Sequence, residues 1–301
     1  MRTFTARLAL TLASIVVAAF LVAAGTPLGA QASRERTLYV SAVNDKGEPV
    51  DALGPDAFVV REDGVRREVL RVSKAVEPMD IALLVDNSAA ARDAITFIRD
   101  GVSKFVARLV PDNEIALVSL ADRPTILVEY TRDPKRLASG AGRLFAMDGS
   151  GMTLLDAIGE TARGLERRET PRATIVAVFT DGTEFTNRYS RDVSAAVRKA
   201  GAALDLVTIG QFPYSDEQGI RERSFLLEEG PRTTGGEHLT LLTPIGLPDV
   251  MDRLARVLAN QYKVVYGRPE SLIPPEKIEV TSARPDVTMH GTPARGEKSG
   301  G

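Results

Sequence analysis

The fold is decided by two stretches, Met79-Asp-Ile-Ala-Leu-Leu-Val-Asp-Asn-Ser88 and Ala173-Thr-Ile-Val-Ala-Val-Phe-Thr-Asp181. Each contains a continuous apolar run that stops at an aspartate, Asp86 in the first and Asp181 in the second. Runs of this kind are typical of strands buried on both faces of a parallel sheet. The two carboxylates are therefore predicted at the carboxyl ends of two strands, which is the edge where open α/β sheets bind ligands.

Further strands and amphipathic helices alternate along the rest of this region. Strands are predicted at 114–120, 124–128, 204–210 and 238–242, and helices at 91–109, 134–145, 154–167, 190–199 and 247–258. The stretch 211–231 is less regular and predicts a loop with a short helix at about 221–228. This alternation predicts an α/β fold with a doubly wound, mostly parallel sheet and helices on both faces.

Two hydroxyl residues accompany the carboxylates. Ser88 follows the first strand closely, and Thr153 follows the glycine-rich loop 148–151 at the start of a predicted helix. Two carboxylates brought together repel each other unless a cation or a shared proton lies between them. Hard divalent cations take oxygen ligands, so the hydroxyls favour a cation.

Three motifs carry a family resemblance: Asp86-Asn-Ser88, Gly151-Met-Thr153-Leu-Leu-Asp156-Ala and Thr180-Asp181-Gly182. Together they resemble the metal-ion-dependent adhesion site of von Willebrand factor type A domains. The family pattern is Asp-x-Ser-x-Ser, a distant Thr, and a distant Asp after a strand. This sequence departs from the pattern at the second Ser, which is Ala90. One hydroxyl ligand of the pattern is therefore missing.

The resemblance implies a Rossmann-like fold, a metal site and a mode of binding. The metal ligands that it implies are Asp86, Ser88, Thr153 and Asp181. Mg²⁺ suits a shell with few carboxylates and some water, and Mn²⁺ or Ca²⁺ are alternatives. An open position on the ion would accept a carboxylate from a protein partner. Asn87 and Thr183 lie next to the site, and Asp148 lies nearby in the sequence. Asp156 is interpreted as a helix-start residue and not as a ligand.

The segments on either side of this domain predict a small β module. Strands are predicted at 38–43, 58–62 and 66–72 before it and at 262–266, 277–282 and 287–290 after it. Asp63-Gly64 between two of them is a strong hairpin signal. We therefore predict an N-terminal module at 33–76, a von Willebrand factor type A domain at 77–261, C-terminal strands at 262–290 that pair with the N-terminal module, and a disordered tail at 291–301. The motif cluster at 47–64 also resembles the leader of this domain in a bacterial group of secreted proteins.

The first 32 residues predict export from the cytoplasm. Arg2 and Arg7 precede an apolar core, and Ala30-Gln-Ala32 forms a small-residue cleavage site. We predict a signal peptide cleaved after Ala32 and a secreted or periplasmic protein without a membrane span. An uncleaved membrane anchor is the alternative, because the apolar core approaches the length of a bilayer span.

Composition excludes several classes of function. Cleavage would lower Lys plus Arg from 38 to 36 against 40 acidic residues, so the net charge would change from -2 to -4. This balance is not typical of a nucleic-acid-binding protein. Cysteine is absent, so there is no disulfide, thiol nucleophile or thiolate metal site.

The sequence predicts a non-enzymatic protein that binds a protein partner or a surface through the cation site. A metal-independent structural or assembly component is the main alternative. A metal-dependent hydrolase using Asp86 and Asp181 is a further alternative, although it lacks an evident general base. The two histidines, His238 and His290, have neither metal-ligand spacing nor a neighbouring nucleophile.

Overall fold

The structure is a computed structural model in which residues 33–212, 217–269, 273, 275 and 277–294 are described. The predicted signal peptide, residues 1–32, lies outside the described residues, as do residues 295–301 of the predicted tail. None of the helices within the described ranges is both long enough and apolar enough to cross a bilayer.

Strands and helices alternate over most of the described chain. The strands are β1 Ser33–Asn44, β2 Phe58–Glu62, β3 Val65–Arg67, β4 Val69–Lys74, β5 Asp80–Val85, β6 Glu114–Ser119, β7 Thr125–Thr131, β8 Ala173–Thr180, β9 Ala202–Ile209, β10 His238–Leu241, β11 Tyr262–Pro269, β12 Ile278–Ser282 and β13 Val287–Pro293. The helices are α1 Ile95–Leu109, α2 Pro134–Gly142, α3 Leu154–Arg168, α4 Ser190–Ala200, α5 Gln218–Thr234 and α6 Leu247–Ala259. Short 3-10 helices span Pro55–Ala57, Ala89–Ala94 and Pro244–Gly246.

A six-stranded sheet forms the centre of the fold, in the order β10-β9-β8-β5-β6-β7. All neighbouring strands are parallel except β6 and β7. Every residue of β5, β8 and β9 is buried, as their continuous apolar runs predict. The predicted fold class, a doubly wound and mostly parallel sheet, is confirmed.

Helices cover both faces of this sheet, and the alternation of side chains along β5 shows how. Ile81, Leu83 and Val85 point to one face and pack with α1, α2 and α6. Ala82 and Leu84 point to the other face and pack with α3, α4 and α5. Because successive side chains of a strand point to opposite faces, a strand of this kind needs an apolar residue at every position.

Helix α5 is longer than the sequence predicts. It spans 17 residues, where the sequence predicted only a short helix at about 221–228. Gly230 and Pro231 lower its intrinsic helix propensity, and a pattern analysis therefore ends the helix too early. Gly230 instead permits close packing, because a Cβ at this position would lie 3.1 Å from Leu204 Cδ2 in β9. The packing of α5 against β9 thus outweighs the low helix propensity of Gly230 and Pro231.

The predicted helix at 91–109 begins as a different kind of helix. Residues Ala89–Ala94 form a 3-10 helix, and the α-helical part begins only at Ile95. The spacing of apolar residues does not distinguish these two helix types over one turn.

The predicted hairpin forms across Asp63 and Gly64, whose φ angles of 48° and 82° are those that a type I′ turn requires. The second strand of this hairpin differs from the prediction at 66–72. It divides at Glu68 into β3, which pairs with β2, and β4, which pairs with β11.

Strands from both flanks of the chain pair in two antiparallel sheets. One has the order β13-β1-β11-β4, and the other has the order β12-β2-β3. Both contribute to one apolar core, which includes Val40, Phe58, Val264 and Val280. Strand β13 continues to Pro293, so residues 291–293, which the sequence assigned to the tail, pair with β1. The elements from Glu35 to Gly267 and from β12 to β13 belong to one compact unit.

A buried arginine connects the central sheet to the flanking strands. Arg172 donates hydrogen bonds to Gln261 Oε1 at 3.0 Å, to the carbonyl of Leu258 at 2.6 Å and to the carbonyl of Glu77 at 3.0 Å. Gln261 in turn donates to Ser41 Oγ at 3.0 Å in β1. The base of the sheet is therefore fixed at the end opposite to the predicted site.

Candidate metal site

Asp86 lies at the carboxyl end of β5 and is fully buried. Its Oδ1 accepts the amide of Ser88 at 2.8 Å, and its Oδ2 accepts the amide of Thr180 at 3.0 Å and also the Thr180 hydroxyl. The amide of Asp86 donates to the carbonyl of Val178 at 2.8 Å. Both carboxylate oxygens thus have donors, and the carboxylate joins the ends of β5 and β8.

Ser88 is the one buried predicted ligand whose side chain makes no hydrogen bond with the described residues. Its hydroxyl is fully buried, makes no hydrogen bond and does not cap the 3-10 helix that follows it. A Cβ built on Gly182 would lie 3.2 Å from Ser88 Oγ and 3.0 Å from Ala90 Cβ. The Ser88 hydroxyl and Ala90 therefore both lie against the loop that follows β8.

Thr153 begins helix α3, but its hydroxyl does not cap the helix. The hydroxyl donates to the carbonyl of Leu120 at 2.9 Å, so both of its oxygen lone pairs remain to accept. Glu184 caps the helix instead, because its two carboxylate oxygens accept the amides of Leu154 and Leu155, each at 3.2 Å. These two hydrogen bonds favour the charged form of the carboxyl, but burial outweighs them and raises the pKa of Glu184 to about 8.

Asp181 lies on the exposed loop after β8. Its carboxylate packs against Gly210, where a Cβ would lie 3.1 Å from Asp181 Oδ2. Backbone hydrogen bonds hold this loop against Met152, which donates to the carbonyl of Thr183 at 2.8 Å and accepts from the amide of Phe185 at 2.7 Å. The loop that carries Asp181 therefore adjoins the segment that carries Thr153.

Asn87 connects the end of β5 to two neighbouring loops. Its Oδ1 accepts the amide of Ala121 at 3.0 Å, its Nδ2 donates to the carbonyl of Phe145 at 3.4 Å, and its carbonyl accepts the amide of Met147 at 2.9 Å. Both polar atoms of its side chain are used in these bonds, so the role of Asn87 is to position the loops and not to bind the ion.

The other two nearby aspartates have partners of their own. Asp156 accepts from the Thr186 hydroxyl at 2.8 Å and from Arg188 Nε at 2.7 Å. Asp148 pairs with Arg92 at the surface. We therefore do not count either carboxylate among the candidate metal ligands.

Two residues at this edge carry no recognisable sequence signal, Glu184 and Arg223. Arg223 lies on α5 with only 2% of its surface exposed. Its Nη1 donates to the carbonyl of Gly182, and its guanidinium carbon lies 4.9 Å from the Phe212 ring centroid. Burial lowers the pKa of Arg223, while attraction to Glu184, Asp181 and Asp86 acts in the opposite direction. A positive charge is therefore already present beside the predicted ligands.

The donor atoms at this edge fit a hard divalent cation. No cluster of three or more His, Cys, Asp or Glu side chains within the described ranges is arranged to hold a metal ion. The predicted set instead combines two carboxylates with two hydroxyls, which are oxygen donors of the type that Mg²⁺ accepts. Burying a hydroxyl without a hydrogen bond is unfavourable, and a cation would provide Ser88 Oγ with the partner that it lacks.

Comparison with known proteins assigns the central region. Residues 81–184 match the family model described as von Willebrand factor type A domain. No curated protein sequence matches the chain.

Several solved structures are similar to this chain. A von Willebrand factor type A protein from Catenulispora acidiphila matches with a TM-score of 0.49 and 12% identity, over 88% of this chain and 64% of that one. Proximal thread matrix protein 1 from the mussel byssus, with a zinc-occupied MIDAS motif, matches with a TM-score of 0.48 and 16% identity, over 66% of this chain and 49% of that one. The conserved hypothetical protein BatB from Bacteroides thetaiotaomicron matches with a TM-score of 0.45 and 14% identity, over 60% of this chain and 98% of that one.

The chain spans about half the length of the mussel structure. The matched residues contain most of the central sheet and the loops that carry Asp86, Ser88, Thr153 and Asp181. The chain therefore contains a region that matches a von Willebrand factor type A domain.

Proposed function

We propose that this protein binds an acidic side chain of a protein partner at the carboxyl edge of the central sheet, through a divalent cation. Ser88 and Thr153 would supply hydroxyl oxygens, and Asp86 and Asp181 would supply carboxylates directly or through water. Mg²⁺ or Mn²⁺ suits these ligands. The observation that carries the proposal is the Ser88 hydroxyl, which is buried and has no described hydrogen-bond partner.

The cation would supply the attraction between two negative groups, the site and the partner's carboxylate. The protein's own contribution is the rigid placement of the ligands. Asp86 is fixed by hydrogen bonds from Ser88 and Thr180, and the Thr153 hydroxyl is oriented by the Leu120 carbonyl. These hydrogen bonds would hold Asp86 and Thr153 in position for the ion.

Exposed apolar side chains near the site support a protein partner. Phe145 and Met147 lie on the loop that bonds to Asn87, and they are 62% and 39% exposed. Phe185 is 56% exposed, and its ring lies over Gly151. Exposed aromatic and methionine side chains are enriched at protein interfaces. A partner segment with an acidic residue between apolar residues would match this surface.

The proposal includes export of the protein, which rests on the predicted signal peptide at residues 1–32. Amino-terminal sequencing of the exported protein tests this part, and a chain that begins at Ser33 is the expected result.

A metal-independent structural or assembly role is the second candidate, and Ala90 favours it. Ala90 stands where the family pattern has a second serine, so one hydroxyl donor is missing. In that case a partner would bind the same edge or another surface without a cation.

Selection of peptides from a random library separates the two candidates. The library is displayed on phage, bound to the immobilised protein in Mn²⁺ and eluted with EDTA. We expect enrichment of peptides with Asp or Glu between apolar residues, and these peptides should not bind the Asp181→Ala variant. Peptides that stay bound in EDTA would support the metal-independent candidate. If acidic peptides are enriched neither in Mn²⁺ nor in EDTA, the proposed function is contradicted.

A further inference from the structure

Arg223 is an unusual residue to find beside a predicted cation site. It lies on α5 and is almost completely buried, although arginine is rarely buried unless it is paired. Within the described chain its guanidinium forms no ion pair with a carboxylate, and its Nε has no hydrogen-bond partner. Among the described residues, therefore, no carboxylate forms a direct ion pair with this charge.

The position of this charge is fixed by the loop of the site. Arg223 Nη1 donates to the carbonyl of Gly182, the residue after Asp181. A Cβ on the same Gly182 would lie 3.2 Å from Ser88 Oγ, so the guanidinium and the Ser88 hydroxyl contact the same residue. The Phe212 ring lies 4.9 Å from the guanidinium carbon and keeps it in place.

A fixed positive charge here acts on the same carboxylates as a metal ion would. Arg223 is attracted to Asp181 and Asp86, two of the predicted ligands, and to Glu184. Charges interact strongly where water does not screen them, so the effect of the buried Arg223 is larger on buried Asp86 than on exposed Asp181. The guanidinium therefore offsets the repulsion between the carboxylates and also repels an incoming cation.

We propose that Arg223 is a built-in cation of this site, which stabilises the metal-free arrangement of Asp86 and Asp181 and weakens the binding of divalent metal. The inference rests on the proposed function, because it assumes that these residues hold a cation. The inference gives α5 a role in the site, because this helix carries Arg223. The site would hold metal weakly and would keep its shape when the metal dissociates.

The test compares metal binding by two arginine variants of the full chain. Arg223→Met removes the buried charge, and Arg221→Met removes an equal charge from the same helix as a matched control. Calorimetric titration with Mn²⁺ gives the dissociation constants, and thermal unfolding in EDTA and in Mn²⁺ gives the stability of each form. We expect at least about tenfold tighter Mn²⁺ binding for Arg223→Met and less than about a threefold change for Arg221→Met. We also expect Arg223→Met to melt at a lower temperature than the wild type in EDTA and to recover in Mn²⁺.

The remaining outcomes either support or overturn the inference. If the wild type binds Mn²⁺ and Arg223→Met binds it equally or more weakly, Arg223 does not oppose the metal, while the proposed function stands. If neither protein binds Mn²⁺, the inference and the cation site fail together. Should Arg223→Met be unfolded in EDTA, refolding on addition of Mn²⁺ supports the inference, and a chain that stays unfolded overturns it. Arg223→Lys keeps the charge and should retain the weak binding of the wild type.

Discussion

The Asp86 carboxylate accepts hydrogen bonds from both the backbone amide and the hydroxyl of Thr180. Asp86 follows β5, and Thr180 ends β8, so these bonds join the ends of two neighbouring strands. Asp86 therefore has a structural role in addition to its proposed role as a metal ligand. Asp181, which follows Thr180 directly, is exposed and lacks such bonds.

The two aspartates should differ in their contribution to stability. Asp86→Ala leaves the amides of Ser88 and Thr180 and the Thr180 hydroxyl without their acceptor, and we expect it to lower the free energy of unfolding by about 2–4 kcal/mol. Asp181→Ala should change it by less than about 0.5 kcal/mol, because the residue is exposed. Urea denaturation in EDTA measures both values. Equal effects of the two substitutions would contradict the buried role of Asp86.

Ala90→Ser should strengthen metal binding. Ala90 is exposed, and its Cβ lies 3.0 Å from the position of a Cβ on Gly182, next to Ser88 Oγ. A hydroxyl at this position would restore the missing oxygen donor, and we expect about three- to tenfold tighter Mn²⁺ binding by calorimetry. Ala89→Ser is the matched control and should leave the dissociation constant unchanged. An unaltered affinity of Ala90→Ser would show that residue 90 does not face the ion.

The glycine at the end of α5 should be required for stability. Gly235 has a φ of +84°, and a Cβ there would lie 2.2 Å from the carbonyl oxygen of Gly291 in β13. We expect Gly235→Ala to lower the free energy of unfolding by more than about 1–2 kcal/mol, because it combines backbone strain with a steric clash. Gly164→Ala is the control. Gly164 lies within α3 with no heavy atom within 4 Å of a built Cβ, so the substitution should stabilise the protein by about 0.5–1 kcal/mol. A neutral Gly235→Ala would place the end of α5 away from β13.

Stability should fall between mildly acidic and neutral pH because of a buried carboxyl in β9. Burial raises the pKa of Asp205 from 3.8 to about 6, and burial together with the charge of Asp205 raises the pKa of Glu237 to about 7. The folded state thus binds protons more tightly than the unfolded state, so the free energy of unfolding decreases as the pH rises from about 4 to about 7.

Replacing this carboxyl by an amide tests the pH dependence. Asp205→Asn keeps an acceptor for the amide of Glu237 and a polar group next to Thr174 Oγ1. Urea denaturation at several pH values should show a decrease of about 1–3 kcal/mol in the wild type that is much smaller in Asp205→Asn. The same decrease in both proteins would exclude Asp205 as its source.

The central sheet could be predicted from the sequence because its signals are local and strong. β5 and β8 are continuous apolar runs, and each ends at a polar residue that marks the edge of the sheet. Ser88 follows the end of β5 closely, whereas Thr153 is identified through the resemblance to the adhesion-site motif. The apolar runs and Ser88 can be located without knowledge of packing, but the contact of Thr153 with Leu120 cannot.

The remaining features depend on contacts between segments that are distant in sequence. Arg223 lies in a charged stretch of α5, where nothing distinguishes it from the exposed arginines of other helices, and only packing against the Gly182 loop reveals its role. Glu184 replaces Thr153 as the cap of α3 across a separation of about 30 residues. Likewise, the pairing of β4 with β11 depends on a strand that follows the whole central domain.

Calorimetric titration of the wild type and the Ser88→Ala variant with Mn²⁺ tests the central claim most directly. Ser88→Ala removes a buried hydroxyl that has no described partner, so the free energy of unfolding in EDTA should change by less than about 0.5 kcal/mol. The account predicts saturable Mn²⁺ binding to the wild type that is lost in this stable variant. No saturable binding to the wild type up to about 10 mM Mn²⁺, or equal binding by Ser88→Ala, would contradict the proposed cation site.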